Sequence, residues 1–167
     1  MGKLANINKS VLQIGQLLAQ NSKIASLLYY DTPDALEQEI NVSLNQLIND
    51  KYITVYPPVE TAIKDMTRNT FLIILLDNIN LRYTDNNKSA NITIYVSTDA
   101  DHILLDNNKN RLLELNDLIV EILDNKKLSS AGQIMISSIS HVMLNEFRAG
   151  YRISLSLTDQ EIRKAEI

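Results

Sequence analysis

The spacing of apolar residues changes along the chain, and this change is the strongest constraint on its fold. Over the first 28 residues the apolar side chains recur every three or four positions, as in an amphipathic helix. In the middle and near the end they recur at every second position, as in a strand with one buried face. The chain is therefore expected to combine helices with a sheet.

Two helices are predicted before residue 50. The first covers Asn6–Leu28 and ends before Pro33, because proline disfavours helical geometry at the residue before it. The second covers Asp34–Ile48, with Asp34 as its cap and Glu37 in the capping-box position. Both helices present one apolar side.

A third helix is predicted at Asn110–Leu123, with capping side chains from Asp106 to Asn108. The remaining apolar segments are rich in β-branched and aromatic residues and are bounded by turn-forming residues. The predicted strands are Tyr52–Tyr56, Phe71–Tyr83, Ile92–Val96, the region of Ile134–Leu144, and Tyr151–Leu157.

The order of these elements predicts an α+β fold, in which a mostly antiparallel sheet is packed on one face by helices. Two hairpins are expected, with turns at Asp85–Ser89 and around Arg148–Gly150. We divide the chain into an N-terminal helical extension at 1–50, an α+β core at 51–158 and a charged C-terminal tail at 159–167.

Composition excludes several classes of function. The absence of cysteine excludes disulfides, thiol nucleophiles, thiolate zinc sites and iron–sulfur clusters. A formal charge of −4 provides no basic field, so specific nucleic-acid binding is not expected. The longest apolar run, Phe71–Leu76, is far shorter than the roughly 20 residues of a membrane-spanning helix. Without a secretory signal at its N-terminus, the chain is expected to stay in the cytosol where it is made.

The strongest candidate for a metal site is His102, which lies near Asp99, Asp101 and Asp106. These residues form no known ligand motif, and turns rich in Asp and Asn commonly serve backbone hydrogen bonding. The second histidine, His141, falls inside a predicted strand. A small metal-dependent hydrolase around His102 is therefore kept only as an alternative.

No other segment carries a recognisable chemical centre. The carboxylates of the third predicted helix alternate with its leucines and are expected on the solvated side. The chain lacks a phosphate-binding glycine loop, a nucleophile elbow and a dinucleotide fingerprint. We therefore predict no catalytic residues, no cofactor and no metal, and we expect the protein to act through contacts with other chains.

Several strings together resemble the tail terminator proteins of tailed bacteriophages, also called tail completion or neck proteins. The resemblance covers most of the chain from about residue 50 onward, and Gly150-Tyr151-Arg152 leading into an alternating strand is its most familiar part. The strings are Leu27–Asp31, Phe71–Arg82, Ile92–Val96, Leu128–Gly132 and Phe147–Leu157.

The resemblance implies a structural virion protein rather than an enzyme. Such proteins form a ring, usually of six subunits, that caps the head-proximal end of the tail and joins it to the head. The implied partners are further copies of the chain, the tail tube or sheath protein, and the head connector or adaptor ring. DNA passes through such a ring without specific binding, and no membrane is involved. The helical N-terminus is longer than in the most compact members of that family.

A ring requires a heterologous interface, in which one patch of each subunit meets a different patch of the next. Sheet edges, hairpin tips and tyrosines are natural candidates for such patches. For the contact between neighbours in a ring we predict Arg148, Tyr151 and the loop at 84–90, with Asp85, Asn86, Asn87 and Lys88. For the contact with a stacked ring we predict Tyr29, Tyr30 and Asp31.

Two other readings remain open besides the hydrolase. The chain could be a portal-proximal head-completion adaptor, a class that is often dominated by helices. It could also be a host-cell adaptor domain with no viral connection.

Overall fold

The computed structural model describes residues 3–55, 68–80, 89–128 and 132–158. The helices in these ranges are α1 (Lys3–Gln20), α2 (Ser22–Tyr29), α3 (Leu44–Asn49) and α4 (Arg111–Leu123), and a 3₁₀ turn spans Ala100–His102. The strands are β1 (Ile53–Val55), β2 (Thr70–Asn80), β3 (Ser89–Asp99), β4 (Lys127–Leu128), β5 (Gly132–Asn145) and β6 (Arg148–Thr158). The predicted α+β class is confirmed. The predicted tail at 159–167 lies outside the described residues.

The strands form one six-stranded sheet in the order β1-β2-β3-β6-β5-β4. All neighbouring strands are antiparallel except β1 and β2, which are parallel. The mostly antiparallel sheet is thus confirmed. Because β1 joins β2 in parallel, it cannot be the first arm of a hairpin.

The longest hairpin joins β5 and β6, which have 14 and 11 residues. Its turn is the pair Glu146 and Phe147, and the Asn145 side chain accepts a hydrogen bond from the Phe147 amide at 2.9 Å. The predicted turn around Arg148–Gly150 was wrong. These residues already pair with both β3 and β5, because Arg148 lies opposite Asp99 and Asn145.

One face of the sheet packs against the helices and forms the main hydrophobic core. The alternation of β3 and β6 directs every second side chain to this face, where helices α1, α2 and α4 cover them. The N-terminal helices and the sheet therefore share one core. Its fully buried members include Val11, Ile14, Leu18, Ile24, Leu28, Leu72, Ile74, Ile94, Leu115, Ile119 and Ile153.

The opposite face of the sheet has a smaller apolar cluster at β2. Phe71, Ile73 and Leu75 are buried there, with Tyr95 and Leu144 packed against them. Residues 70–75 of β2 are thus buried on both faces, whereas Asp77 and Asn78 are exposed. This strand is therefore buried on both faces at one end only, which agrees with its continuous apolar run at Phe71–Leu76.

The first predicted helix is interrupted at Asn21. The Asn21 side chain accepts a hydrogen bond from the Ile24 amide at 3.0 Å and so caps α2. Asparagine favours this capped conformation over a helix interior, because its side chain competes for backbone amides. The apolar spacing continues across the break, so periodicity alone predicted one helix.

The second predicted helix, Asp34–Ile48, is mostly wrong. Helix forms only at α3, where the Ser43 side chain accepts from the Gln46 amide at 3.2 Å. Asp34 does not cap a helix but accepts from the Gln38 side chain at 2.9 Å within a run of turns. Side-chain hydrogen bonds involving Thr32 and Gln38 lower the pKa of Asp34. The cap of α4 also differs from the prediction of Asp106 to Asn108. The side chain of Asn110 caps this helix by accepting hydrogen bonds from the amides of Leu112 and Leu113.

A buried arginine joins the start of α4 to the end of α2. Arg111 is fully buried, and its guanidinium donates to four backbone carbonyls at 2.7 to 2.8 Å. Burial lowers the pKa of this guanidinium, and the Asp31 carboxylate opposes that shift. Carbonyls left without helical partners thus obtain charged donors. The carbonyls belong to Leu27, Tyr30, Thr32 and His102.

Replacement of Arg111 by lysine is expected to lower the free energy of unfolding by roughly 3 kcal/mol, because each buried carbonyl left without a donor costs about 1–3 kcal/mol. Urea denaturation measures this loss, and the slope of the free energy of unfolding against urea concentration should be unchanged. The control is Lys109→Ala, which removes a surface ion pair to Glu114 of 2.8 Å and should cost at most about 1 kcal/mol. Equal losses in the two variants would contradict the anchoring role of Arg111.

Gly150 is needed where β6 passes β3. A Cβ atom at this position would lie 2.5 Å from the carbonyl oxygen of Val96. We expect Gly150→Ala to destabilise the fold by about 1–3 kcal/mol, because the contact is with backbone and cannot be relieved by a side-chain rotation. Ser154→Ala, on the same strand and face, is the control for thermal unfolding. A Gly150→Ala protein as stable as this control would show that the backbone of β3 can move away from the added methyl group without loss of stability.

Candidate functional site

The predicted contact residues at the end of α2 are held by contacts within the chain. The ring of Tyr29 lies 5.1 Å from that of Tyr30 and 5.5 Å from that of Tyr52. Tyr30 donates from its hydroxyl to the Glu39 carbonyl at 2.9 Å, and Asp31 accepts from the Asn69 side chain at 2.8 Å. These half-buried side chains therefore stabilise the loop that follows α2. Their predicted contact with a stacked ring stays a prediction.

Arg148 and Tyr151 also have partners within the chain. Arg148 forms an ion pair of 2.6 Å with Asp99, and its guanidinium lies 5.4 Å from the centre of the Phe71 ring. The Tyr151 ring meets that of His141 edge to face at 5.5 Å. The structure thus brings Arg148 and Tyr151 to one end of β6, where they support the sheet.

The other predicted contact residues, Asp85, Asn86, Asn87 and Lys88, lie outside the described residues. The alternative metal site around His102 lies within the described residues. His102 uses its Nδ1 in a hydrogen bond of 2.9 Å with the Asp31 carbonyl, and Asp99 is paired with Arg148. Across the described ranges, no three histidine or carboxylate side chains come together as a metal site.

Strand β5 has one edge that is open over much of its length. On one side β5 pairs with β6 from Gln133 to Asn145, but on the other β4 pairs only with Gly132 and Gln133. Next, the amides of Ile134 and Ile136 donate to the Lys126 carbonyl and the Asp124 carboxylate. From Ser138 to Asn145 no described residue pairs with this edge.

The alternation of an antiparallel ladder shows which backbone groups are open. The Ile136 amide points away from β6, because it donates to Asp124. Ile136 and its partner Leu155 therefore form a pair that exchanges no backbone hydrogen bonds. Every second residue of β6 from Leu155 toward its start likewise exchanges no backbone hydrogen bonds with its partner in β5. These partners are Ile139, His141 and Met143. The amides and carbonyls of those three residues therefore point outward from the edge. We refer to Ser138–Met143 as the β5 edge.

Apolar side chains are exposed along the β5 edge and at the hairpin tip. Ile139 is 43% exposed, Met143 67% and Phe147 72%. The first two lie on the same face of the sheet as the main core, in the rows of Ile153 and Ala149. Long edges with exposed apolar side chains favour pairing with another chain, and natural monomers usually avoid them.

A second open edge lies at the other side of the sheet, at β1. Among the described strands β1 pairs only with β2. Beside it a depression of about 330 Å³ opens between α1, α3 and β1. Its lining is mostly apolar: Leu12, Gly15, Gln16, Ile48, Lys51, Ile53, Thr54 and Val55. We refer to these residues as the β1 groove.

Sequence reasoning did not identify either edge. The β5 segment does contain a signal, because its period-two alternation slips by one residue at Ser137 and Ser138, where the register with β6 shifts. Such a slip is typical of a β-bulge. No local pattern, however, indicates which strands lie at the border of the sheet.

Comparison with models of protein families identifies the family of this chain. A model of the YomW family matches residues 21–157, well over half of the chain. The chain belongs to the YomW family. This is a Bacillus phage-derived family of SPbeta-like prophage proteins, and the matched region includes both β1 and β5. The phage association expected from the resemblance is thus confirmed, whereas the finer assignment to tail terminators is a proposal.

No curated protein matches this YomW-family chain. None of the helices in the described ranges is both long and apolar enough to cross a membrane.

The open edge predicts an alternating pattern of amide exchange in the monomer. Ser140 and Val142 should be protected, because their amides face β6, whereas Ile139, His141 and Met143 should exchange rapidly. Hydrogen–deuterium exchange followed by NMR at low protein concentration measures this pattern. Uniform protection from 139 to 143 would show that another part of the chain covers the edge.

Proposed function

We propose that this protein is a structural component of a phage particle and not an enzyme. In this proposal identical subunits form a ring at the head-proximal end of a tail and join the tail to the head. The neighbours of the ring are the tail tube or sheath protein on one side and the head connector on the other. The ring is part of the virion and is made in the host cytoplasm.

The observation that carries the proposal is the β5 edge with its exposed apolar side chains. The main core between the helices and the sheet is fully packed, so this open edge does not reflect a loosely packed chain. An edge of this kind adds a strand from another molecule readily. Membership of a phage-derived family supports a partner within the phage particle.

The two open edges also support a ring over a closed dimer. A dimer with two-fold symmetry would use the same edge twice and leave the other edge open. A head-to-tail arrangement uses both edges of each subunit, and it forms a closed ring when the rotation between neighbours closes. The six copies expected from the tail-terminator resemblance are one such closed ring.

The test is light scattering across a concentration series, combined with negative-stain images of the protein alone and with tail tube protein. The parent chain should form rings of about six copies. The double substitution Ile139→Lys, Met143→Lys should raise the protein concentration needed for assembly at least tenfold, because lysine at an edge opposes strand addition. Monomer stability should change little, since both side chains are exposed.

Met135→Lys is the matched control. Met135 is an equally exposed residue of β5, but it lies on the other face of the sheet, before the open edge begins. Assembly should persist in this variant. A parent protein that stays monomeric both alone and with tail tube protein would overturn the ring proposal.

A further inference from the structure

The two open edges of the sheet lie at the same position along the strand direction. The strand pairings form continuous rows across the sheet, and two of these rows begin in β1 and end in the β5 edge. The first row runs through Ile53, Leu72, Val96, Tyr151 and His141. The second runs through Val55, Ile74, Ile94, Ile153 and Ile139. A second copy placed beside the first, without a shift along the strands, would therefore set β1 against the β5 edge.

The directions of the strands agree with this placement. β1 and β2 run one way, β3 the opposite way, β6 with β2, and β5 opposite to β6. β5 of one copy would therefore run antiparallel to β1 of the next. This is the pairing that already dominates the sheet.

The open backbone groups of the two edges also match. The Leu72 amide donates to the Tyr52 carbonyl, so the parallel ladder leaves the amides and carbonyls of Ile53 and Val55 pointing outward. On the β5 edge the outward residues are His141 and Ile139, in the same two rows. Outward residues opposite each other on antiparallel strands exchange a pair of hydrogen bonds. A shift by one residue would lose this match.

The side chains of the edges are complementary as well. Ile139 and Met143 are on the core face of the sheet, the face on which the β1 groove opens beside α1. In the paired arrangement these two side chains would fill the apolar groove. Lys51 at the groove and Glu146 at the hairpin tip are exposed, and neither has an ion-pair partner among the described residues. They would meet as opposite charges.

We infer that the β5 edge of one subunit pairs antiparallel with β1 of a second copy, with Ile139 opposite Val55 and His141 opposite Ile53. The sheet then continues from subunit to subunit, and the β1 groove is the receptor for Ile139 and Met143. This inference rests on the proposed ring and identifies its interface.

Engineered cysteines test the inference cleanly, because the chain has no native cysteine. The variant Val55→Cys, Ile139→Cys places one thiol on each edge. In the proposed pair the two Cα atoms are about 5.5 Å apart, within the range that a disulfide spans. Within one chain they are four strand spacings apart, about 19 Å, so no internal bond can form. Mild oxidation should produce a ladder of covalent oligomers up to the closed ring.

The matched control is Val55→Cys, Ser140→Cys. Ser140 is the neighbour of Ile139, but its side chain is on the opposite face of the sheet, in the row of Arg152. This variant should give at least tenfold less cross-linked product. Each single-cysteine variant should stop at dimers. Circular dichroism and thermal unfolding check that every variant is folded.

The outcomes separate the interface from the ring itself. A ladder from the Val55/Ile139 variant and not from the control supports the inferred pairing. Rings that form by light scattering but give no ladder, or equal ladders from both variants, overturn the pairing and leave the ring proposal standing. The absence of any assembly, with or without tail tube protein, overturns both.

Discussion

The buried guanidinium of Arg111 supplies hydrogen-bond donors to a part of the chain that has few of its own. The end of α2 and the loop after it expose carbonyls that no helix satisfies, and three of the four acceptors of Arg111 belong to this segment. The fourth belongs to His102, just before α4. One side chain therefore ties the N-terminal helices to the helix that covers the centre of the sheet. The packing of the main core depends on this tie, because α1 and α2 contribute many of its buried residues.

The sheet beneath these helices is well covered at its centre and open at its two borders. β4 is too short to protect β5, and β1 is bordered by a groove rather than by another described strand. In a monomer such borders favour aggregation, whereas in an assembly they are the means of specific contact. The matching rows, strand directions and open backbone groups support a second copy as the partner in the proposed ring.

Much of the fold could be predicted from the sequence. The apolar run at Phe71 and the alternation after Gly150 predict β2 and β6, and the leucine stripe predicts α4, because each pattern has the period of its element. The errors occurred where side chains compete with that period. Asn21 interrupts a continuous apolar stripe by capping α2, and the segment after Asp34 forms turns instead of a helix. For the site, Arg148 and the residues around Tyr30 were selected for their chemistry, yet their described contacts lie within the chain.

The sequence by itself determined the class of each long element, the side of each strand that is buried, and the absence of thiol chemistry. These properties depend on residue type and local spacing, which are present in any short window of the chain. The tertiary structure alone decided that β6 lies between β3 and β5, that β1 joins in parallel, and that Arg111 meets carbonyls about eighty positions earlier. Open edges follow from strand order, and strand order depends on contacts between distant residues. No local pattern carries that information.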